Sequence, residues 1–237
     1  MVEIIPAIMP VSFDDLCEKL SRVKGLASVV QIDVMDGKFV PEKNWPLNEA
    51  GQGHFAKIIR EEEGLPNWGD FDFEIDLMVS NPAKAIDSWI VAGAKRLIIH
   101  IESVRDFSAL VSDIRAKFPK GSGLTNGDSL VPEFGVALNT TTPTDSIYPF
   151  LSEMDFVQFM GIEKIGFQGQ PFDERVIDKI RELRTQSPDY TISVDGGVNL
   201  DTAPRLISVG ANRLAVGSAL FESENIKDTI KELQRLT

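Results

Sequence analysis

The chain is poor in cysteine, in positive charge and in long apolar runs. It holds one cysteine, Cys17, among 237 residues. A single thiol cannot close an internal disulfide, which excludes a disulfide-stapled secreted scaffold. Cys17 falls in a helical pattern and reads as a small buried or half-buried side chain, as expected of a cytoplasmic protein. Lysine and arginine number 24 against 36 aspartates and glutamates, a net charge of −12. That balance argues against nucleic acid or an anionic membrane as the main partner. Any phosphate must then be held by local donors, such as backbone N–H groups and helix N-termini. No apolar run is long enough to span a bilayer. The opening Met1-Val2-Glu3-Ile4-Ile5-Pro6 lacks a basic stretch and reads as a strand rather than a signal peptide.

What the chain does have is regular alternation. Strand-like runs fall at 2–7, 28–34, 71–78, 96–100, 134–139, 156–160, 191–194 and 213–216. Most are continuous apolar runs, which suits parallel strands buried on both faces. Helix starts are marked between them. Ser12-Phe13-Asp14-Asp15 and Ser103-Val104-Arg105-Asp106 have capping-box spacing with Asp in place of Glu. Asn81-Pro82 and Thr142-Pro143 put a capping residue before a proline at the first helical position. Gly93 and Gly210 follow helical segments and suit C-caps. Hydrophobic content of 43% is ample for one large core. These features predict a single (β/α)8 barrel domain over 1–237, with an open doubly wound sheet as the rival. Residues 42–70 and 120–132 are expected as insertions that decorate the rim.

In a parallel barrel the site sits at the C-terminal ends of the strands. Read off in order, those ends are Ala7, Asp33, Asp76, His100, Asn139, Met160, Asp195 and Gly217. Asp33 ends Ser28-Val29-Val30-Gln31-Ile32, and Asp195 ends Tyr190-Thr191-Ile192-Ser193-Val194. Two carboxylates facing each other across a barrel mouth suit moving a proton from one face of a carbon to the other. Asp36, beside Gly37, reads as a turn residue. Gly166-Phe167-Gln168-Gly169-Gln170 follows strand six and is expected to open a helix at Pro171. Gly196-Gly197 follows strand seven, and Gly217-Ser218 follows strand eight. Small residues at three neighbouring strand ends let backbone N–H groups close on a phosphate, and this glycine pattern favours the barrel over the open sheet. Met35, Met78 and Met160 form either a soft apolar floor under a reacting centre or ordinary core. His100 is either a hydrogen-bonded interior residue or part of the site.

Together these residues resemble the ribulose-phosphate 3-epimerase family, whose barrels bind ribulose phosphates. The resemblance runs through Ile32-Asp33-Val34-Met35-Asp36-Gly37-Lys38-Phe39-Val40-Pro41, Leu77-Met78 with Asn81-Pro82, and Leu138-Asn139 with Thr142-Pro143. It continues through the glycine turn after strand six, Val194-Asp195-Gly196-Gly197-Val198 and Gly217-Ser218-Ala219-Leu220-Phe221. It implies that Asp33 and Asp195 are the acid/base pair and also ligate a divalent metal. It implies epimerisation at C3 of a ketopentose phosphate, D-ribulose 5-phosphate to D-xylulose 5-phosphate, through an enediolate. The family has histidine ligands where this chain has Gln31 and Asp76, serine where it has Ala7, and a glycine where it has Gln168. A metal shell of Asp33, Asp76, Asp195 and the Gln31 amide oxygen would be all oxygen, favouring Mn²⁺ or Mg²⁺ over Zn²⁺. Two other readings fit the residues: a phosphosugar-binding pseudoenzyme, and a lyase or aldolase of the phosphate-binding barrels. The lyase would often use a strand-end lysine, and none occurs here. A small phosphosugar is the expected partner, with self-association left open.

Overall fold

A computed structural model of the chain describes residues 2–120 and 131–236. The expected insertion at 120–132 therefore lies almost wholly outside the described residues. The chain runs β1 (Glu3–Ile8), α1 (Phe13–Val23), β2 (Val29–Met35), α2 (Gln52–Ile59), β3 (Asp72–Met78), α3 (Pro82–Val91), β4 (Ala94–His100) and α4 (Phe107–Lys117). It continues with β5 (Glu133–Leu138), β6 (Phe156–Met160), α5 (Arg175–Gln186), β7 (Ile192–Asp195), α6 (Ala203–Ser208), β8 (Arg213–Val216), α7 (Ser218–Phe221) and α8 (Ile226–Arg235). All strand pairings are parallel and sequential, and β1 closes on β8 with Glu3 opposite Arg213. The fold is a closed (β/α)8 barrel, and the open-sheet alternative falls away.

The strands are less uniformly apolar than their sequences suggest. Alternation along each strand sends successive side chains to opposite faces. Val30, Ile32 and Val34 of β2, Phe73, Ile75 and Leu77 of β3, and Ile192 and Val194 of β7 join the main hydrophobic core. Val176, Ile180 and Leu183 of α5 bury in that same core, which therefore lies between sheet and helices. The intervening residues are polar and buried: Gln31, Asp33, Glu74, Asp76, Gln158, Ser193 and Asp195. The barrel interior thus holds buried polar groups beside an apolar cluster of Ile98, Ala137 and Phe156, and the polar groups need partners or a cation to be tolerated.

Several local signals act one step away from where the sequence puts them. Ser12 caps α1 by accepting from Asp15 N at 3.1 Å, as expected. The cap of α4 is Asp106, which accepts from Ala109 N, while Ser103 donates its hydroxyl to His100 O. Thr142-Pro143 leads into a 3-10 segment, Thr144–Phe150, rather than an α-helix, and Pro149 inside it lacks the N–H an α-helix would use. α5 starts at Arg175 and not at Pro171, because Asp173 N first bonds back to Gly161 O at 2.8 Å. Residues 42–70 are more than a rim insertion. They carry the crossover helix α2 and bury Trp45, Ile58 and Leu65 in the core.

The N-terminal end of the barrel is closed by charge. Arg96 approaches Glu3, Glu74 and Glu133, and Arg213 approaches Glu3 and Glu133. Glu74 is fully buried, and burial pushes its carboxyl up to about 7 despite Arg96 and Arg213. A carboxyl raised in the folded state contributes stability below its ordinary pKa and loses that contribution as pH rises through the folded value. Wild type is therefore expected to lose about 3 kcal/mol between pH 4.5 and pH 7 that Glu74→Gln does not lose. Urea denaturation of both proteins at pH 5 and pH 8 measures this, and equal pH dependence would contradict it.

Candidate active site

Alternation places Asp33 near the end of β2 and Asp195 at the end of β7, both side chains pointing into the barrel. One cavity at that mouth is lined by both carboxylates, by Ala7 of β1 and by Met78 and Met160 at the ends of β3 and β6. Gly166, Phe167, Gln168 and Gly169 line it from the turn after β6, Gly196 and Gly197 from the turn after β7, and Gly217 and Ser218 after β8. These residues, spread over the chain, share one small space. Among the described residues that line it, none is lysine or arginine.

Gln31, one inward step below Asp33, ties the two carboxylates together. Its amide nitrogen donates to Asp33 Oδ1 at 2.7 Å and to Asp195 Oδ2 at 2.8 Å. The expectation that Gln31 turns its amide oxygen to a cation meets a different arrangement: the nitrogen faces the carboxylates, and the buried Oε1 has no partner among the described residues. A half-turn of the amide would exchange them.

Asp76 stands opposite Asp33 in the β2–β3 register and is fully buried. Its Oδ1 lies 3.1 Å from His100 Nε2, and its Oδ2 accepts from Gln158 Nε2 at 3.0 Å. Asp33, Asp76 and Asp195 bring one carboxylate oxygen each within 4.8 Å of one another. Burial raises Asp33 well above the usual carboxylate range, and the charges of Asp195 and Asp76 add to it. Burial, then Asp76, lifts Asp195 to about 7. Two raised carboxyls so close titrate as a pair. Burial alone would lower His100, but the neighbouring Asp76 outweighs it and the imidazole is raised.

Three residues expected to line the site sit behind its wall. Met35 is buried in an apolar cluster with Met9, Met78 and Met160, so part of the methionine set is wall and part is packing. His100 is fully buried against Asp76, with Phe39 tilted over it at 5.3 Å. Asn139 donates its backbone N–H to Glu102 Oε1, and the residue is not among those lining the cavity. Conversely, Met9, Ile162 and Ala215 line the cavity and escaped the sequence reading. Each is two residues from a strand-end residue, so the period of two could have found them. Asp36 takes its expected turn role, accepting from Lys38 N, Phe39 N and Ser80 N.

The glycine turns are needed for two separate reasons. A Cβ on Gly161 would sit 2.2 Å from Gly196 O, so that residue lets the β6 and β7 turns touch. Gly197 has φ of +67°, and a Cβ there would press on Phe172 at 3.0 Å. A bulky residue at Gly197 would therefore disturb the backbone as well as the cavity.

The pattern of the Ribulose-phosphate 3 epimerase family matches residues 3–221. The chain belongs to the ribulose-phosphate 3-epimerase family. It is 32% identical to the ribulose-phosphate 3-epimerase of Bacillus subtilis (strain 168), over 99% of both chains. It is 29% identical to the cytoplasmic isoform of Oryza sativa subsp. japonica, over 98% of this chain and 93% of that one. In fold it is similar to KGPDC from Streptococcus mutans, with a TM-score of 0.69, 14% identity and coverage of 99% and 96%. It also matches 3-hexulose-6-phosphate synthase from Salmonella typhimurium, with a TM-score of 0.63, 13% identity and coverage of 99% and 97%. Among the described residues no helix is long and apolar enough to cross a membrane.

Proposed function

We propose that this chain interconverts D-ribulose 5-phosphate and D-xylulose 5-phosphate by two-aspartate proton transfer. The observation that carries the reading is the pair Asp33 and Asp195, set on β2 and β7, facing one cavity and bridged by the Gln31 amide. With both carboxyls raised by burial, one carboxylate and one carboxylic acid can coexist near neutral pH. The carboxylate takes the proton from C3, next to the ketone. The acid delivers one to the opposite face. Asp33 and Asp195 are thus the catalytic residues. Ala7, Met78 and Met160 give the reacting carbon an apolar surround that keeps bulk water away.

The phosphate is assigned to the turns at 166–169, 196–197 and 217–218. They meet at one side of the cavity, and in the absence of a lysine or arginine their N–H groups are the donors on offer. Gly217 gives the clean test. A Cβ there meets Ala7 O at 3.4 Å and Gln168 Nε2 at 3.5 Å, ordinary contacts, so an alanine methyl meets no clash. Gly217→Ala is expected to raise KM for ribulose 5-phosphate roughly tenfold, a loss of about 1.4 kcal/mol of binding, with kcat within a few-fold. An unchanged KM, with circular dichroism confirming the fold, would remove this turn from the phosphate site.

The donor set fits a hard divalent cation. Asp33, Asp76 and Asp195 gather three carboxylates, and Gln31 Oε1 is buried without a partner among the described residues. These four residues would hold the ion, Gln31 after the half-turn of its amide. All-oxygen ligands favour Mn²⁺ or Mg²⁺ over Zn²⁺. A bound cation would supply the positive charge that offsets an oxyanion developing beside the reacting carbon. A lyase working through a Schiff base lacks its lysine in the cavity wall. The half-buried single thiol of Cys17 suits the reducing cytoplasm.

Solvent deuterium exchange at C3 of ribulose 5-phosphate, followed by NMR with and without added Mn²⁺, tests the reading. Exchange with formation of xylulose 5-phosphate supports it. Phosphosugar binding without exchange would mark a pseudoenzyme instead.

A further inference from the structure

Behind the cavity wall, a second set of polar side chains converges on Asp76. This carboxylate does not line the cavity, and neither does His100. Both are fully buried. His100 Nε2 holds Oδ1 at 3.1 Å, and Gln158 Nε2 holds Oδ2 at 3.0 Å. The Gln158 amide is oriented by Ser193, whose hydroxyl donates to Gln158 Oε1 at 3.2 Å. Three strands, β4, β6 and β7, thus contribute to fixing one side chain on a fourth, β3. Phe39, from the turn after β2, packs on the imidazole, and Glu102 Oε2 lies 3.9 Å from its Nδ1. An aspartate has a short stem, and a carboxylate gripped at both oxygens can present its remaining lone pairs in one direction only.

We infer that His100 is a positioning residue: with Gln158 it sets the orientation in which Asp76 faces Asp33 and Asp195, and it acts on the reaction through Asp76 alone. The inference rests on the proposed epimerase site. Groups that orient the carboxylates of such a site are worth roughly 10- to 100-fold in cation affinity or activity. Since His100 is outside the cavity, substrate binding should be spared. The imidazole matters here as an N–H donor at a fixed reach, so an amide of similar reach should replace it.

A double-mutant cycle tests this. His100→Leu is expected to lower kcat about 30-fold with KM for ribulose 5-phosphate within about threefold. Its Mn²⁺ affinity, read by the EPR signal of free Mn²⁺, should fall by a similar factor. His100→Gln should retain kcat within about threefold, because its Nε2–H₂ can reach Asp76 Oδ1. In an Asp76→Asn background, His100→Leu should cost less than about twofold. The inference is overturned if His100→Leu costs as much in that background as in wild type. It is also overturned if His100→Leu lowers only the melting temperature, which would make the imidazole purely structural. If wild type binds no Mn²⁺, the cation reading fails and the cycle on kcat still decides. If wild type is inactive, the epimerase reading fails and the cycle is read on Mn²⁺ affinity. A wild type with neither property overturns both.

Discussion

Asp33→Asn and Asp195→Asn are each expected to lower epimerisation by roughly 10³-fold, the scale on which a single positioned acid or base acts. Asparagine keeps the shape of the side chain and removes its ability to carry a proton. The two carboxylates face the same cavity from two different strands, β2 and β7, so each variant should retain one of the two proton transfers. The expected signature is therefore directional. In one variant ribulose 5-phosphate, and in the other xylulose 5-phosphate, should still exchange its C3 proton with solvent without inverting. NMR of each epimer in D₂O reads this directly. Loss of exchange from both epimers in both variants would mean that the aspartates act as a unit with no division of faces. Full activity in either variant would remove that residue from the chemistry. Asparagine at position 195 also removes a charge that raises Asp33, so in Asp195→Asn the Asp33 carboxyl should titrate lower than in the intact pair, where burial and the charges of Asp195 and Asp76 hold it well above the usual carboxylate range.

Removal of divalent cations is expected to have the next largest effect. Dialysis against a chelator should lower kcat by roughly 10²-fold or more, equivalent to about 3 kcal/mol of lost charge stabilisation. Mn²⁺ should restore it, Mg²⁺ partly, and Zn²⁺ least, because Asp33, Asp76, Asp195 and Gln31 offer oxygen only. Elemental analysis before dialysis gives an independent reading. Stoichiometric zinc would contradict the hard-ligand argument. Full activity in demonstrably metal-free protein would leave the pair to work by hydrogen bonding alone, with the Gln31 amide nitrogen in place between the carboxylates.

The barrel was legible because its signals are local and repeated. The starts of β6 and β8 coincide with the predicted runs, and the other strands shift by one or two residues. Caps were less legible, since several residues near a helix start can compete for the same orphan N–H groups. Asp106 caps α4 although Ser103 has the spacing, because Ser103 is already engaged with His100 O. The polar interior was only half legible. Asp33 and Asp195 stand out at strand ends, whereas Gln158 and Ser193 sit inside apolar runs and carry no motif of their own. Only their inward orientation reveals them as partners of Asp76.

By itself, the sequence determined the parallel barrel, through strand runs that recur eight times with helical segments between them. It also determined which strand ends carry carboxylates and which carry small residues. The tertiary structure alone decided which of these share a space. Closure of β1 on β8 brings β2 and β7 within reach of one Gln31 amide, although Asp195 is 164 residues away. It also decided that His100, Met35 and Asn139 lie behind the wall while Met9, Ile162 and Ala215 form it. The physical reason is that a strand's period of two specifies a face, but the stagger between strands sets the depth at which each side chain meets its neighbours.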